Sequence, residues 1–404
     1  MCTCAPKFLN MLQLGLKIVV VLISAVTVTA ETTAVSTAFP VPSILTPHYD
    51  TTPNYEVSPP SHLSFTVAYV TDWGNLTDWS KSSTISTRRQ GTATFCSIQN
   101  RGFWLFGSTS TKALATGITT VFSSSISLAK TFAHPGWLVD IPADVWPPIP
   151  LTADEQEVTT TFHMRFSTEP HTHCAVVGSN KAIQFWDASL SVHCGQVAGT
   201  SMAVYQLNAE SNVLTVTRRA ALTINRNEYR YGSFATIVVA GHVYLYALDN
   251  RGSGAYQDVH IARAPSATVE DKSKWQYWDR GADTWSPTEP LPTTRRQSAA
   301  VISLPPENFF LESASVFYSA YHNSYLLFFL MDDSVSLRVK YSPTPLGPWS
   351  TNDKIVYTFP ARVASALVTP VPFQSGSQIA GQIVLVSSVE WNSFDTRVRK
   401  LKFL

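Results

Sequence analysis

The clearest hydrophobic pattern in the chain lies in residues 312–350. Ser313 to Tyr321 is a run of small and aromatic residues, His322-Asn323-Ser324 is a turn cluster, and Tyr325 to Met331 is an unbroken apolar stretch of strand length. Asp332-Asp333-Ser334 turns the chain again. Val335, Leu337, Val339 and Tyr341 then alternate with Ser336, Arg338 and Lys340 before Pro343, Pro345, Gly347 and Pro348 end the unit. Period-two alternation between short polar turns predicts antiparallel strands. A middle strand with no polar face must be covered on both sides, so this unit sits between two other sheets.

The apolar middle strand recurs. Tyr325–Leu330 has counterparts in Phe103–Gly107, Ala182–Trp186, Val243–Leu248 and Ile383–Val386, each behind a turn cluster such as Asn100-Arg101-Gly102 or Gly178-Ser179-Asn180. The period is about 70 residues, enough for a sheet of four strands. Third strands follow, clearest at Val259–Ala264, Val335–Tyr341 and Arg397–Phe403, and several units add an outer strand, such as Ile355–Phe359. Five such sheets predict an all-β, five-bladed β-propeller. An irregular β-sandwich with extra strands is the competing architecture. The fifth unit stops after its third strand, whereas Leu63–Val70 alternates well and precedes the first unit without a role. It is expected to pair with Arg397–Phe403 and close the ring, removing an exposed edge.

Composition narrows the function classes. Charged residues make up only 14% of the chain and the net charge is +1, so there is no basic field for nucleic acid and no broad acidic field for cations. Aromatics at 12% with abundant Ser and Thr suit β-sheet and sugar-facing surfaces. Near the start, Lys7 and Lys17 precede the apolar run Ile18 to Val28 and the small-residue end Val28-Thr29-Ala30. That pattern predicts a secretory signal peptide over residues 1–30, its apolar core too short to span a bilayer comfortably. Export without stable membrane insertion follows, with an uncleaved anchor as the competing reading. Residues 31–61, dominated by Thr, Ser and Pro, read as an extended linker, and residues 62–404 as the propeller domain. The sequon Asn75-Leu76-Thr77 marks Asn75 as a glycosylation acceptor.

Removal of the leader takes Cys2 and Cys4 with it, leaving Cys96, Cys174 and Cys194. His171, His173, Cys174, His193 and Cys194 form HTHC and HC clusters that invite a zinc reading, but oxidising conditions pair nearby cysteines. A Cys174–Cys194 bridge is therefore expected, with Cys96 reduced and buried in its apolar strand and with no metal or other cofactor.

In a propeller blade, the start of strand one and the end of strand two lie at the same end of the central channel. Arg88-Arg89-Gln90, His171, His173, Glu228 with Tyr231, Glu312 and Arg362 enter first strands; Ser108, Asp187, Asp249, Asp332 and Glu390 leave second strands. One mouth of the channel is thus expected to gather carboxylates, histidines and arginines. Glycoside hydrolysis uses two carboxyl groups about 5–10 Å apart across a sugar ring, one of them protonated. Glu312, next to Phe309, Phe310 and Leu311, suits the acid. Glu228, between Arg226 and Arg230, suits the ionised partner, with Asp249 assisting. The competing reading is that these are ordinary turn acids. Arg89, His173 and Tyr231 are substrate-binding candidates. Arg263 and Arg338 lie on third strands, where they either clamp sugar hydroxyls or pin one blade to the next.

The stretches VYLYALDNRG, VHIARAP and VEDKSKWQYWD, followed by SVFYSAYHNSYLLFFL and LRVKYSPTPLGPWS, resemble the propeller family catalogued as domain of unknown function 4185, over about residues 86–360. The resemblance implies a distant likeness to the arabinanase propellers of glycoside hydrolase family 43, and some members of that family are classed as hydrolases acting on arabinan. Glu312 falls where the family tends to place an acid. Two departures stand out: the family's Arg-Asp-Gly-Gly is here Arg88-Arg89-Gln90-Gly91, and its Gly-Asp-Thr is Gly107-Ser108-Thr109. Arg89 and Ser108 thus replace two aspartates, which favours a propeller that binds a polysaccharide or a protein partner without cleaving it. The channel-mouth acids favour a glycoside hydrolase.

Overall fold

The alternation read from residues 312–350 is realised on both sides of the middle strand. Ser324–Met331 is buried along its whole length. Tyr325, Leu327, Phe329 and Met331 pack with Tyr244, Tyr246 and Leu248 of the preceding sheet. The intervening Leu326, Phe328 and Leu330 pack with Val368, Val384 and Val386 of the following one. A strand's period of two sends successive side chains to opposite faces, so one apolar run serves two interfaces.

The computed structural model describes residues 63–75, 77–78, 85–99, 101–117, 119–122, 125–129, 137–139, 164–170, 172–190, 197–211, 213–219, 222–225, 227–249, 257–289, 301–304, 310–331, 333–371 and 380–404. The leader and linker expected over residues 1–61 lie outside them, as do His171, Cys194 and Asp332.

The strands form five sheets, the blades of a five-bladed β-propeller. Blade one is built on Ile85–Ile98, Arg101–Ala113, Ser125–Ala129 and Trp137–Val139. Blade two has the interrupted inner strand Met164–Pro170 and Ala175–Gly178, then Lys181–Leu190, Val197–Asn208 and Val213–Arg219. Blade three runs through Ala235–Val239, His242–Asp249, Gln257–Pro265 and Gln276–Asp279, and blade four through Phe310–Ser319, Ser324–Met331, Ser336–Ser342 and Lys354–Thr358. Blade five takes Val363–Pro370, Ile383–Glu390 and Thr396–Phe403 from the end of the chain and Val67–Asn75 from its beginning.

Among the described residues the buried side chains form clusters at every junction of neighbouring blades. Val243, Leu245 and Ala247 meet Ile183, Phe185 and Val204 between blades three and two. Phe103 and Leu105 meet Ala182, Trp186 and Tyr205 between blades one and two. Trp104 and Phe106 meet Leu385 and Val398 between blades one and five. With the two faces of blade four, these interfaces run round the ring.

Ring closure follows the expected pairing with a shift along the chain. Val67–Asn75 is antiparallel to Thr396–Phe403, with Val67 opposite Phe403 and Asn75 opposite Arg397. Leu63–Thr66, expected as strand, precedes it instead. Phe65 leaves the ladder because its ring stacks on His322 with centroids 4.7 Å apart and meets the edge of Phe403 at 6.3 Å. At the other end Asp72 accepts a hydrogen bond from Arg397 Nε at 2.9 Å.

The cysteine expectation is corrected. Cys174 is bonded to Cys96, with a Cα–Cα distance of 5.7 Å, so the Cys174–Cys194 bridge does not form and Cys96 is not reduced. Cys96 lies on the inner strand of blade one and Cys174 just before Ala175–Gly178 of blade two. Those strands are neighbours around the axis, a proximity that sequence separation conceals.

Candidate functional site

The inner strands line the axis and one histidine joins them. His173 of blade two shares hydrogen bonds through Nδ1 with Thr94 Oγ1 of blade one at 2.8 Å and Thr369 Oγ1 of blade five at 3.2 Å. Its Nε2 meets Ser315 Oγ of blade four at 2.8 Å, and its carbonyl accepts from Thr236 Oγ1 of blade three at 3.1 Å. Burial pushes its pKa down to about 4, so the ring is neutral at pH 7. His173, expected at the channel mouth as a substrate-binding candidate, lies on the axis with its ring nitrogens committed to holding the blades together. Beyond it lies a cavity of about 260 Å³ walled by the later halves of the inner strands, with Phe95, Val176, Ile237 and Phe317 among its lining. That cavity faces away from the end where first strands begin.

At the opposite end, four of the five inner strands carry bulges where they enter the ring. Blade one has one extra residue between Gln90 and Ala93, blade five one between Val363 and Ser365, blade four two between Phe310 and Ala314, and blade two two between Phe166 and Pro170. Bulges bend a strand, re-aim its side chains and cluster next to active sites. Gly91, at φ +76°, makes the bulge of blade one with a backbone suited to glycine.

The turn after strand two of blade five meets that bulge. Gly91 N donates to Phe394 O at 2.9 Å and Thr396 Oγ1 donates to Gly91 O at 2.6 Å. Within the turn, Phe394 N donates to Glu390 O at 2.8 Å and Ser393 Oγ to Glu390 Oε2 at 3.2 Å. Trp391 is 50% exposed and Phe394 46%, among the most exposed large apolar side chains described. Trp391 N donates to Arg362 O at 3.2 Å, and the Arg362 guanidinium lies 5.1 Å from the Trp391 ring centroid. Below them Arg397 Nη1 donates to Glu390 Oε1 at 3.0 Å, while Arg397 and Arg399 both meet Asp72. Burial alone raises the Asp72 carboxyl, but hydrogen bonds from Arg397 and Gly74 N and the charge of Arg399 leave it below its ordinary value.

The residues expected at the mouth are not all brought together. Glu312 lies in the bulge of blade four; its side chain is outside the described ones. Glu228 is ion-paired with Lys272 Nζ at 2.8 Å and accepts from Asn225 N at 2.7 Å. Lys272 belongs to the connection between the third and fourth strands of blade three, so Glu228 sits in the outer half of the ring. Asp249 is buried at the end of strand two of blade three, opposite Asp258 in the ladder. Arg89 is buried against its own sheet, donating to Ser125 Oγ at 3.1 Å with its guanidinium 4.9 Å from the Phe106 ring. Tyr231 is buried between blades two and three, 5.2 Å from the Tyr277 ring. Arg263 donates to Gln276 Oε1 at 2.9 Å and stacks 4.2 Å from Trp285, and Arg338 donates to Asp353 Oδ2 at 2.7 Å. Both arginines brace outer strands. Asn75 is exposed at the end of the closing strand. No group of three His, Cys, Asp or Glu poised for a metal occurs among the described residues.

Among the described residues, the turn at this end of blade five thus carries two half-exposed aromatic rings and an arginine beside the bulge of blade one. Trp391 and Phe394 were not singled out from sequence. Their signal was two large aromatics inside Trp391-Asn392-Ser393-Phe394-Asp395, where turn residues alone are expected.

No curated protein matches the sequence. Solved structures with a similar chain path include a family 117 glycoside hydrolase from Zobellia galactanivorans, at 10% identity and TM-score 0.44, covering 83% of this chain and 91% of that one. An exo-β-1,3-galactanase from Clostridium thermocellum is similar at 10% identity and TM-score 0.46, over 81% of this chain and 61% of its own. An endo-arabinase from Bacteroides thetaiotaomicron is similar at 8% identity and TM-score 0.41, over 78% and 94%. What those proteins act on is a property of theirs. The family model that matches is that of domain of unknown function 5005, over residues 175–399, rather than the 4185 family that the motifs resemble. That match takes in more than half of the sequence, from the inner strand of blade two to the last strand of blade five, and the chain belongs to the family of domain of unknown function 5005.

Proposed function

We propose that this chain is an exported, carbohydrate-directed propeller that binds a polysaccharide at the mouth marked by Trp391. One observation carries the reading: Trp391 and Phe394 are held half-exposed on a turn that is hydrogen-bonded to the bulge of the neighbouring blade. An exposed ring fixed at a channel mouth offers a sugar's C–H face a rigid partner, at little cost in side-chain entropy. The charged leader with its apolar core, the Cys96–Cys174 bond and the exposed sequon residue Asn75 support export. No helix among the described residues is long and apolar enough to cross a membrane.

Hydrolysis is the second reading, and the two-residue bulge around Glu312 is what favours it. Glu312 is proposed as the acid with Asp249 as its candidate partner, because Glu228 is committed to Lys272 away from the inner strands. Binding is the stronger reading.

The test is a panel of plant and microbial polysaccharides, assayed for both retention of the protein and release of reducing sugar. Trp391→Ala is expected to weaken retention about tenfold, the loss of one stacked ring. Retention of no glycan by the parent protein would refute the reading. Sugar release that Glu312→Gln abolishes, with retention kept, would establish hydrolysis.

A further inference from the structure

We propose that the Arg362–Trp391 pair selects an anionic sugar, one carrying a carboxylate or a sulfate, over its neutral counterpart. The inference rests on the carbohydrate reading and names the substrate class of that same site.

The argument begins with where charge is compensated. Glu390, the acid nearest to Trp391 in the chain, has Oε1 engaged by Arg397 and Oε2 by Ser393. Asp72 is engaged by Arg397 and Arg399. These acids and arginines balance one another along the closing strand. Arg362 is exposed and, among the described residues, has no carboxylate partner. Its guanidinium lies over a tryptophan instead, 5.1 Å from the ring centroid, and its own carbonyl accepts from Trp391 N.

An exposed guanidinium held within cation–π reach of an indole keeps its N–H donors for a planar or tetrahedral anion. A pyranose stacked on the exposed part of the Trp391 ring beside Arg362 would bring its ring substituents to that edge. A neutral sugar offers hydroxyls there, whereas a uronate or a sulfate ester offers two acceptor oxygens and a charge. Phe394 adds a second exposed ring on the same turn. It sits at φ +58°, a strained conformation for an aromatic residue, yet its ring is half exposed. Backbone strain of this kind persists where surrounding structure enforces it and gathers at ligand clamps.

The experiment uses the exported full chain and titration calorimetry against four oligosaccharide probes. They are an oligogalacturonate, its methyl ester, a sulfated galactan oligosaccharide and its desulfated form. The expected result is that at least one anionic probe binds about tenfold tighter than its neutral counterpart. Arg362→Gln is expected to erase that preference while neutral binding persists, which also shows that the variant is folded. Arg362→Lys is expected to keep the charge but lose most of the preference, because an ammonium lacks the fork. Preference confined to the uronate pair assigns a carboxylate, and preference confined to the sulfated pair assigns a sulfate; both support the proposal. Equal or better binding of the neutral forms, or a preference that survives Arg362→Gln, overturns it while leaving the carbohydrate reading intact. Binding of none of these probes or of the polysaccharide panel overturns both.

Discussion

Phe394 sits at φ +58°, where a side chain crowds its own backbone and only glycine, asparagine and aspartate are common. The cost of that conformation is about 1–2 kcal/mol. Nothing in the core requires the ring, which is 46% exposed. Phe394→Asn is therefore expected to leave stability unchanged or raise it by up to about 1 kcal/mol, while weakening glycan binding severalfold. Chemical denaturation and calorimetry on the same preparation check both halves. A loss of stability beyond about 2 kcal/mol would mean that the ring is a core residue after all. Little of this was legible in the sequence. Glu390 was placed at the mouth by counting strands, but exposure of the two residues beyond it depends on how the turn folds back onto Gly91. Arg89 shows the reverse. It was expected to enter a first strand at the mouth; it lies within Ile85–Ile98, and Phe106 and Ser125 draw its guanidinium onto its own sheet.

The strands were the most legible elements, since a buried middle strand must be apolar on both faces and few other arrangements produce that run. Bulges and the disulfide were not legible. A bulge is a local count mismatch between two partners and leaves no trace in either alone, apart from a glycine such as Gly91. The bond between Cys96 and Cys174 spans a sequence separation of 78 and links neighbouring inner strands beside His173. Closing a loop of that size in the unfolded chain is worth about 4.5 kcal/mol in the chain-entropy account. The double replacement Cys96→Ala with Cys174→Ala is expected to lower stability by about that amount without altering glycan binding at the opposite end of the channel. Equilibrium unfolding with and without reductant checks it, and a melt insensitive to both would show that the bond contributes nothing. Peptide mapping under non-reducing conditions places the pairing itself.

At the scale of the molecule, the ring depends on contacts that meet at its axis and on one seam. His173 touches an inner strand of every other blade, and burial holds it neutral with a pKa of about 4. His322, stacked under Phe65 at the closing segment, is pushed down to about 4 by burial as well. In the unfolded chain both titrate near 6.5. Their contribution is therefore fully present above about pH 6.5 and is lost as the pH falls toward about 4, because the unfolded state takes up protons first. Each shift corresponds to up to about 3 kcal/mol. Urea melts between pH 7 and pH 4 are expected to show the decline, and His173→Gln to flatten it; a wild-type stability that is level over this range would contradict the account. The five-fold plan of the ring was legible from its repeats and from the spare strand at its start. Which side chains meet at the axis was not, since they come from five separate stretches of chain.

The seam also sets a clock. Val67–Asn75 is made well before its partner Thr396–Phe403, with residues 76–395 between them. At synthesis rates of about 5–20 residues per second, that interval is roughly a quarter of a minute to a minute. Through it the nascent chain carries an open strand edge with no mate of its own. A holdase that grips extended segments has that window in which to act. A ribosome that stops short of Thr396 releases a chain whose first strand is complete and whose edge is open to a strand from another copy.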